Sequence, residues 1–315
     1  MTLALSEKDV QGLLEMTEVV SAVEEAFRRE AAGEAMNSAR SRTRGIGVVL
    51  NAMHAYLPYL RRGGLKCYIS SRKGTRFVFI LFDSEDSRPL AIMGADTLGR
   101  FRTGAASGVA TKFLYGRKSA KLAVCGSGKQ ALTQVLGVAA VTSISELRIW
   151  SPTEDHREGF RLRLKEMGLD AETFGTPGEA LRGVDVASTV TSSKKPFLSP
   201  AEIEHLAHLN ACGSNSPEHS EVMATAVAEF GAVVVDDLLQ ARIEYGDLIQ
   251  AAEAGTFSWD AAVPLKEVVA GRVSATGSTL FKSGGVALED VAVGSLVYDK
   301  ALKSGRFGDA SVNLA

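Results

Sequence analysis

The feature that most constrains the fold is a glycine-rich turn, Gly126-Ser127-Gly128-Lys129-Gln130-Ala131. It lies between a strand-like run (KLAVC) and a helical segment (ALTQVLGVAAV), and a second strand-like run (ELRIW) follows. This order is typical of the βαβ unit of a parallel sheet. The first glycine allows a tight turn, the second lets a pyrophosphate approach the backbone, and Ala131 permits close helix–strand packing. The pattern predicts a dinucleotide-binding Rossmann domain, and the alternative is a glycine-rich turn without a ligand.

The end of the second strand should decide which dinucleotide is bound. NAD-binding sheets commonly carry an acidic residue there that hydrogen-bonds the adenosine ribose. This chain has Ser151-Pro152-Thr153 instead, with Arg157 shortly after. Two hydroxyl groups and no carboxylate permit a 2′-phosphate, and Arg157 is a candidate to bind it. We therefore expect NAD(P), with a preference for NADP.

The chain upstream of the glycine turn has a different pattern of apolar and turn residues. The first 35 residues predict helices, with Ser6 as a capping signal and apolar residues such as Val19, Val23 and Phe27 at helical spacing. From about Gly45 to Met93, short apolar runs alternate with turn residues, which predicts an antiparallel sheet in an α+β domain. A second domain should begin after Gly116, and VALEDVAVGSLVYDKALKSG predicts a long final helix.

Several lysine and arginine residues lie at positions where their charge indicates a functional role. Lys66 falls inside a predicted strand, between Leu65 and Cys67, so it is either functional or a charged residue of an edge strand. Arg40, Arg42 and Arg44 alternate and would share one face of a strand. Arg102, next to Thr103, should open a helix, where a guanidinium and free N–H groups form an anion site.

Other features limit the classes of partner. The 35 Lys and Arg residues nearly balance the 37 Asp and Glu residues, so a nucleic-acid partner is not expected. The sequence holds no long apolar run and its N-terminus lacks a signal-peptide pattern, which predicts a cytoplasmic protein without a membrane partner. His205 and His208 would lie three residues apart on a short helix, but without a third ligand they predict no metal site.

Separated blocks of the sequence carry a family resemblance. They are GGLKCY around Lys66, RTGAASGVATKFL at 102–114, GSGKQA at 126–131, TVTS at 189–192, CGSNSPEHSEV at 212–222 and TLFKSGGVALED at 279–290. In this order they resemble the ornithine cyclodeaminase/mu-crystallin family over nearly the whole chain. The resemblance implies an α/β fold in which a Rossmann domain (117–286) is inserted into an α+β substrate-binding and dimerisation domain (1–116 plus 287–315).

The resemblance also implies roles for individual residues. Lys66 and one arginine, Arg40 or Arg42, would bind the substrate carboxylate. The predicted cofactor-binding residues are Arg102 and Thr103 near the phosphates, Gly126, Ser127, Gly128, Lys129 and Gln130 at the pyrophosphate, Ser151 and Thr153 at the ribose, Thr191, Ser283 and Gly285 near the nicotinamide, and Asn215.

One departure from the family pattern bears on the reaction. Ornithine-cyclising members carry an aspartate after the turn of the fifth Rossmann strand, where this chain has Asn215, and an amide cannot act as a general base. The resemblance therefore implies a homodimeric NAD(P)-dependent imine reductase or amino-acid dehydrogenase that acts on a small imino, keto or amino acid. The cluster of Arg40, Arg42, Arg44, Lys66, Arg72 and Lys73 would suit a dicarboxylic imine such as iminosuccinate. The alternatives are a cyclodeaminase-type lyase and a mu-crystallin-like protein that binds a small ligand.

Overall fold

The computed structural model describes residues 2–305, 307, 311 and 312. The chain forms two compact units, the first made of Met1–Arg102 with Gly285–Ala315 and the second of Thr103–Gly284. The sequence placed these boundaries at 116/117 and 286/287. The first boundary lies earlier because a helix that begins at Asp96 continues into the second unit, where a Cβ on Gly104 would come within 2.0 Å of the Thr133 carbonyl oxygen.

The strands and helices are numbered in chain order. The strands are β1 (Thr2–Leu5), β2 (Met36–Asn37), β3 (Ser41–Gly45), β4 (Val48–Leu57), β5 (Arg62–Ser71), β6 (Gly74–Asp83), β7 (Pro89–Gly94), β8 (Ser119–Cys125), β9 (Ser143–Trp150), β10 (Glu172–Phe174), β11 (Val186–Thr189), β12 (His208–Ala211), β13 (Ala232–Val235), β14 (Ala262–Pro264), β15 (Thr279–Lys282) and β16 (Ser311–Val312). The helices are α1 (Glu7–Leu13), α2 (Met16–Ala31), α3 (Asp96–Leu114), α4 (Ala131–Ala139), α5 (Glu154–Glu166), α6 (Pro177–Leu181), α7 (Pro200–Ile203), α8 (Ala224–Val227), α9 (Leu238–Glu244), α10 (Gly246–Glu253), α11 (Leu265–Val269) and α12 (Ala287–Ser304).

The first unit is built on a sheet in the order β16-β1-β7-β6-β5-β4-β2, with β3 also paired to β4. Strands β4 to β7 are antiparallel neighbours, as the sequence predicted, while β1 is parallel to β7. Helix α12 packs on β4, β5 and β6, and α2 packs on α12. The interface buries Leu57, Phe79 and Leu81 completely. The sequence pattern predicted only helices in the first 35 residues, but Thr2–Leu5 form strand β1. Ser6 does cap α1, in a capping box with Asp9.

The opposite face of this sheet is apolar, and several of its large side chains are exposed among the residues that the structure describes. Because side chains alternate along a strand, the residues that point away from α12 form one surface. Its members on β4, β5 and β6 include Leu50, Ile69, Val78 and Phe82, each at least 36% exposed. We call this surface the outer sheet face.

The second unit contains a parallel sheet in the order β10-β9-β8-β11-β12-β15-β13-β14. The chain runs from β8 outward through β9 to β10, and then returns to the other side of β8 to place β11 and β12. This is the doubly wound arrangement of a Rossmann domain, and the order reverses between β8 and β11. Ligands bind in such sheets at the carboxyl ends of the strands beside this switch point, which is where the glycine turn lies.

The predicted pair of histidines on one short helix is not formed. His208 was expected on a helix, but it lies in β12, fully buried, with Nδ1 2.8 Å from Thr279 Oγ1 and Nε2 3.0 Å from Asn210 Oδ1. His205 is exposed. The helical spacing was misleading because α7 ends at Ile203 and the parallel sheet takes up the next apolar run.

Candidate functional site

The glycine turn follows β8 directly. Its two glycines are needed for different physical reasons. Gly126 has φ +124°, and a Cβ there would lie 2.7 Å from the Val190 carbonyl oxygen, so the fold itself requires this glycine. Gly128 is exposed, and among the described residues a Cβ there would meet nothing within 4 Å. The space beside Gly128 is thus open at the amino end of α4, where backbone N–H groups and the helix dipole favour an anion. The turn therefore fits a dinucleotide pyrophosphate.

The end of β9 is polar and carries no carboxylate at Ser151. The Ser127 hydroxyl donates to Ser151 Oγ at 3.0 Å, and the Ser151 hydroxyl donates to the Thr153 carbonyl at 3.2 Å. Arg157 Nη1 donates to the Ser151 carbonyl at 3.3 Å. Ser127 and Ser151 thus join the glycine turn to the neighbouring strand end, and Arg157 lies beside them.

We expect Ser151→Asp to shift coenzyme preference toward NADH. The carboxylate would accept hydrogen bonds from the ribose hydroxyls of NADH and repel the 2′-phosphate of NADPH. The ratio of kcat/KM for NADPH to that for NADH should fall by at least tenfold. His205→Asp, which adds the same charge at an exposed position of the same unit, should leave the ratio unchanged. A wild-type protein that uses only NADH would contradict the interpretation of this strand end.

Three further predicted cofactor residues follow three other strands of the same sheet. Thr191 lies after β11, Asn215 after β12 and Ser283 after β15, all at the carboxyl edge. Thr191 donates to Glu221 Oε1 through both its backbone N–H and its hydroxyl, each at 2.7 Å. The Ser283 hydroxyl donates to Asp236 Oδ2 at 2.7 Å. The two acids at the centre of these contacts were not among the predicted site residues.

The first unit places Lys66 in the middle of its sheet. Its strand, β5, pairs with β4 on one side and β6 on the other, so the edge-strand interpretation is excluded. Lys66 is 2% exposed, and Nζ lies 2.7 Å from both carboxylate oxygens of Asp290 in the first turn of α12. The Asp290 Oδ1 atom also accepts from Arg102 Nε at 3.0 Å, and Arg102 Nη1 lies 2.8 Å from Glu289 Oε2. These groups form a buried charge cluster.

The predicted setting of Arg102 was wrong. It does not open a helix, because α3 begins at Asp96. The helix therefore has no amino end at Arg102, and at its actual start the N–H groups of Asp96 and Thr97 donate to the Glu7 carboxylate at 2.7 and 2.9 Å. Arg102 instead lies in the second turn of α3, and Thr103 beside it is buried.

The two candidate arginines differ in their surroundings. Arg40 is buried and its Nη2 donates to the Gly285 carbonyl at 3.0 Å, whereas Arg42 is half-buried and its Nε donates to Asn51 Oδ1 at 3.0 Å. Gly285 has φ +75°, and a Cβ there would come within 1.7 Å of Arg102 Nη1. Gly285 therefore lies against both Arg40 and Arg102, which favours Arg40 over Arg42 as the carboxylate-binding arginine.

Burial changes the acidity of Lys66. Loss of solvent lowers its pKa to about 7, and the positive charges of Arg102 and Arg40 act in the same direction, while Asp290 opposes them. While Lys66 is protonated, its ammonium group and the neighbouring guanidinium groups give the cluster positive charge that suits a carboxylate. Glu289 and Asp290 were missed because on the sequence they look like the ordinary acidic first turn of a helix.

The chain is similar to known proteins in both sequence and fold. Residues 1–305 match the model of the ornithine cyclodeaminase/mu-crystallin family. The chain belongs to this family. It is 33% identical over 314 residues to alanine dehydrogenase of Archaeoglobus fulgidus, covering 96% of this chain and 95% of that one. The Thermococcus litoralis Delta(1)-pyrroline-2-carboxylate reductase, solved with NADH and L-proline, superposes with a TM-score of 0.91 at 29% identity, covering 96% and 98% of the two chains.

A second solved relative is an archaeal alanine dehydrogenase dimer with bound NAD, with a TM-score of 0.90, 31% identity, and coverage of 100% of this chain and 99% of that one. The family and the fold class predicted from the sequence are thus confirmed, and the relatives are of the predicted enzyme class. The solved relatives hold NADH and NAD, so a preference for NADP stays a prediction. In the part of the chain that the structure describes, no helix has the length and apolarity to cross a membrane.

Proposed function

We propose that this chain catalyses the NAD(P)H-dependent reduction of an α-imino acid, or the reductive amination of a 2-oxo acid, to the α-amino acid. The observation that carries the proposal is the buried cluster of Lys66, Asp290 and Arg102 in the first unit. Ionised groups are costly to bury, and apolar residues of similar size would stabilise a sheet at least as well. A functional reason for the cluster is therefore favoured, and the relatives named above are a reductase and a dehydrogenase.

The residues that bind the substrate differ from those that bind the cofactor. Lys66 and Arg40 bind and orient the substrate carboxylate by charge-assisted hydrogen bonds. Arg102 is held by Glu289 and Asp290 and keeps the anion site positive. The turn from Gly126 to Gln130 binds the pyrophosphate, and the nicotinamide, when bound, supplies the hydride. Fixed charges of this kind need no reorganisation during the reaction, which is why they lower its barrier.

Three other basic residues of the cluster predicted from the sequence lie at positions that favour a substrate with one carboxylate. Arg44, Arg72 and Lys73 are exposed and lie at the ends of strands or in the turn after β5, away from the buried position of Lys66. They are thus explained as solvated surface charge. A monocarboxylic imine is the preferred substrate of this proposal, and iminosuccinate is the competing one.

Asn215 separates the proposal from a lyase. A cyclodeaminase would need a base where this chain has an amide. The decisive experiment follows NAD(P)H consumption with Δ1-pyrroline-2-carboxylate, with pyruvate plus ammonia, and with oxaloacetate plus ammonia. We expect stoichiometric oxidation of the cofactor and formation of the amino acid with the first or second substrate. Release of ammonia and formation of proline from ornithine with catalytic NAD would support the lyase, and tight ligand binding without turnover would support a binding protein.

Carboxylate binding should weaken as the pH rises above about 7. Lys66 is charged below its pKa of about 7 and neutral above it, so the cation is lost as the pH increases. Pyrrole-2-carboxylate is a suitable probe because its ring nitrogen does not titrate between pH 6 and 9. Its inhibition constant should rise by up to about tenfold per pH unit above pH 7. Lys66→Arg keeps the charge and should give a flat profile; a flat wild-type profile would contradict the assignment.

We also propose that the chain is a homodimer joined through the outer sheet face. Contiguous apolar surfaces of this kind mark interaction sites, and one solved relative is a dimer. The double variant Ile69→Lys and Val78→Lys places two charges on neighbouring strands in the middle of this face. We expect it to be monomeric by light scattering, whereas Lys73→Glu, in the turn after β5, should remain dimeric. A monomeric wild-type protein, or an unchanged dimer in the double variant, would refute this interface.

A further inference from the structure

A buried carboxylate in the second unit joins two loops at the carboxyl edge of the parallel sheet. Glu221 is completely buried and accepts four hydrogen bonds. Its Oε1 atom accepts from the Thr191 N–H and hydroxyl, both at 2.7 Å. Its Oε2 atom accepts from the Thr189 hydroxyl at 2.7 Å and from the Gly213 N–H at 2.9 Å. Glu221 therefore ties the end of β11 and the loop after it to the loop after β12.

The contact with Gly213 is close enough to determine the residue at that position. A Cβ on Gly213 would lie 2.2 Å from Glu221 Oε1, so any larger residue would displace the carboxylate. Each oxygen of Glu221 already accepts from two donors, and the side chain is not exposed to solvent. Glu221 is thus arranged to hold its neighbours in place and not to exchange a proton with a substrate.

The buried pair of Asp247 and Lys282 holds the backbone at Glu221 in place. Asp247 Oδ1 accepts from the backbone N–H groups of Glu221 and Val222 at 2.6 and 2.9 Å. Asp247 Oδ2 lies 2.7 Å from Lys282 Nζ, and both side chains are fully buried. Burial raises the pKa of Glu221, and the positive charge of Lys282 opposes this effect. Because Lys282 ends β15, the cluster connects three strand ends.

The positions of β8, β9, β11 and β12 indicate which half of a bound dinucleotide would depend on Glu221. The glycine turn ends β8 at the switch point, and Ser151, on the ribose side, follows β9. Since the two halves of a dinucleotide lie on opposite sides of the switch point, the half that does not contact β9 lies over β11 and β12. Those are the strands whose ends Glu221 holds.

We propose that Glu221, supported by Asp247 and Lys282, is a positioning residue for the nicotinamide half of the cofactor. It acts through the backbone of Thr191 and Gly213, and it leaves the adenosine half unaffected. This inference rests on the proposed function because it assumes that NAD(P) is the cofactor. Its distinguishing consequence is a selective loss: a change at Glu221 weakens binding of the whole dinucleotide and not of adenosine monophosphate.

The test compares NADH and adenosine monophosphate by calorimetric titration of the full chain. Glu221→Gln has the same shape, but its amide N–H groups cannot accept two of the four hydrogen bonds. We expect at least tenfold weaker NADH binding, with AMP binding within twofold of the wild type. Thr189→Val is a milder variant that removes one donor from Glu221, and it should give a smaller selective loss. Glu179→Gln, an exposed capping residue of α6 in the same unit, is the matched control.

The possible outcomes separate this inference from the proposed function. Unchanged NADH binding in a folded Glu221→Gln protein, or an equal loss of NADH and AMP binding in Thr189→Val, would overturn it. If Glu221→Gln does not fold, Thr189→Val alone decides between selective and uniform loss. A wild-type chain that binds AMP and not NADH would instead refute the proposed function.

Discussion

Lys66→Ala is expected to lower kcat/KM for imine reduction by about 30-fold to 1000-fold while NADH affinity stays within twofold of the wild type. The expected loss corresponds to about 2–4 kcal/mol of transition-state stabilisation, the range for a desolvated charge-assisted contact. The proposed role of Lys66 is to bind the substrate carboxylate, whereas the glycine turn binds the pyrophosphate, so the change should spare cofactor binding. Steady-state kinetics and calorimetric titration of NADH together measure both quantities.

The variant also leaves Asp290 buried beside one fewer cation, and this effect must be separated from catalysis. Removing one partner of a buried ion pair costs about 3–5 kcal/mol of stability. The double variant Lys66→Met and Asp290→Asn removes both charges of the pair and should recover part of the free energy of unfolding without recovering activity. Lys73→Ala, at an exposed lysine, is the control for activity. Wild-type kcat/KM in a folded Lys66→Ala protein would refute the role of Lys66.

Gly128→Val is expected to weaken NADH and NADPH binding by two or more orders of magnitude without unfolding the protein. A Cβ at Gly128 meets no atom of the described residues within 4 Å, so the valine side chain fills space that the pyrophosphate needs and not space that the fold needs. Calorimetric titration with both nucleotides measures the loss, and thermal unfolding checks the fold.

The neighbouring glycine shows why the choice of position matters. At Gly126 a Cβ would collide with the Val190 backbone, so loss of binding in a Gly126 variant would not distinguish misfolding from a blocked site. Gly12→Val is the matched control, because a Cβ there also meets nothing within 4 Å. Unchanged dinucleotide affinity in a folded Gly128→Val protein would remove the glycine turn from the site.

Features that depend on neighbours along the chain were predictable. The cap predicted at Ser6 forms, because its partner Asp9 lies three residues away. The strand, glycine turn and helix around Gly126 follow from local periodicity and from a backbone conformation that favours glycine. Lys66 could be singled out because a lysine within an apolar strand conflicts with its local pattern. The errors arose where local pattern and tertiary context disagreed, as for the helical spacing of His208 and for the start of α3.

The sequence by itself determined the βαβ unit, the two kinds of sheet, the family and the residue types available for binding anions and nucleotides. Only the tertiary structure decided which of those residues meet. Lys66 and Asp290 are separated by 224 positions, and Glu221 reaches Thr191 across 30. Such pairs leave no periodic signal, because their contacts depend on strand order and on which residue of α12 or of a loop faces the sheet. The sequence therefore indicated which residue would be a buried charge. The fold determined the partner of that residue, and the partner in turn determined its pKa and its role.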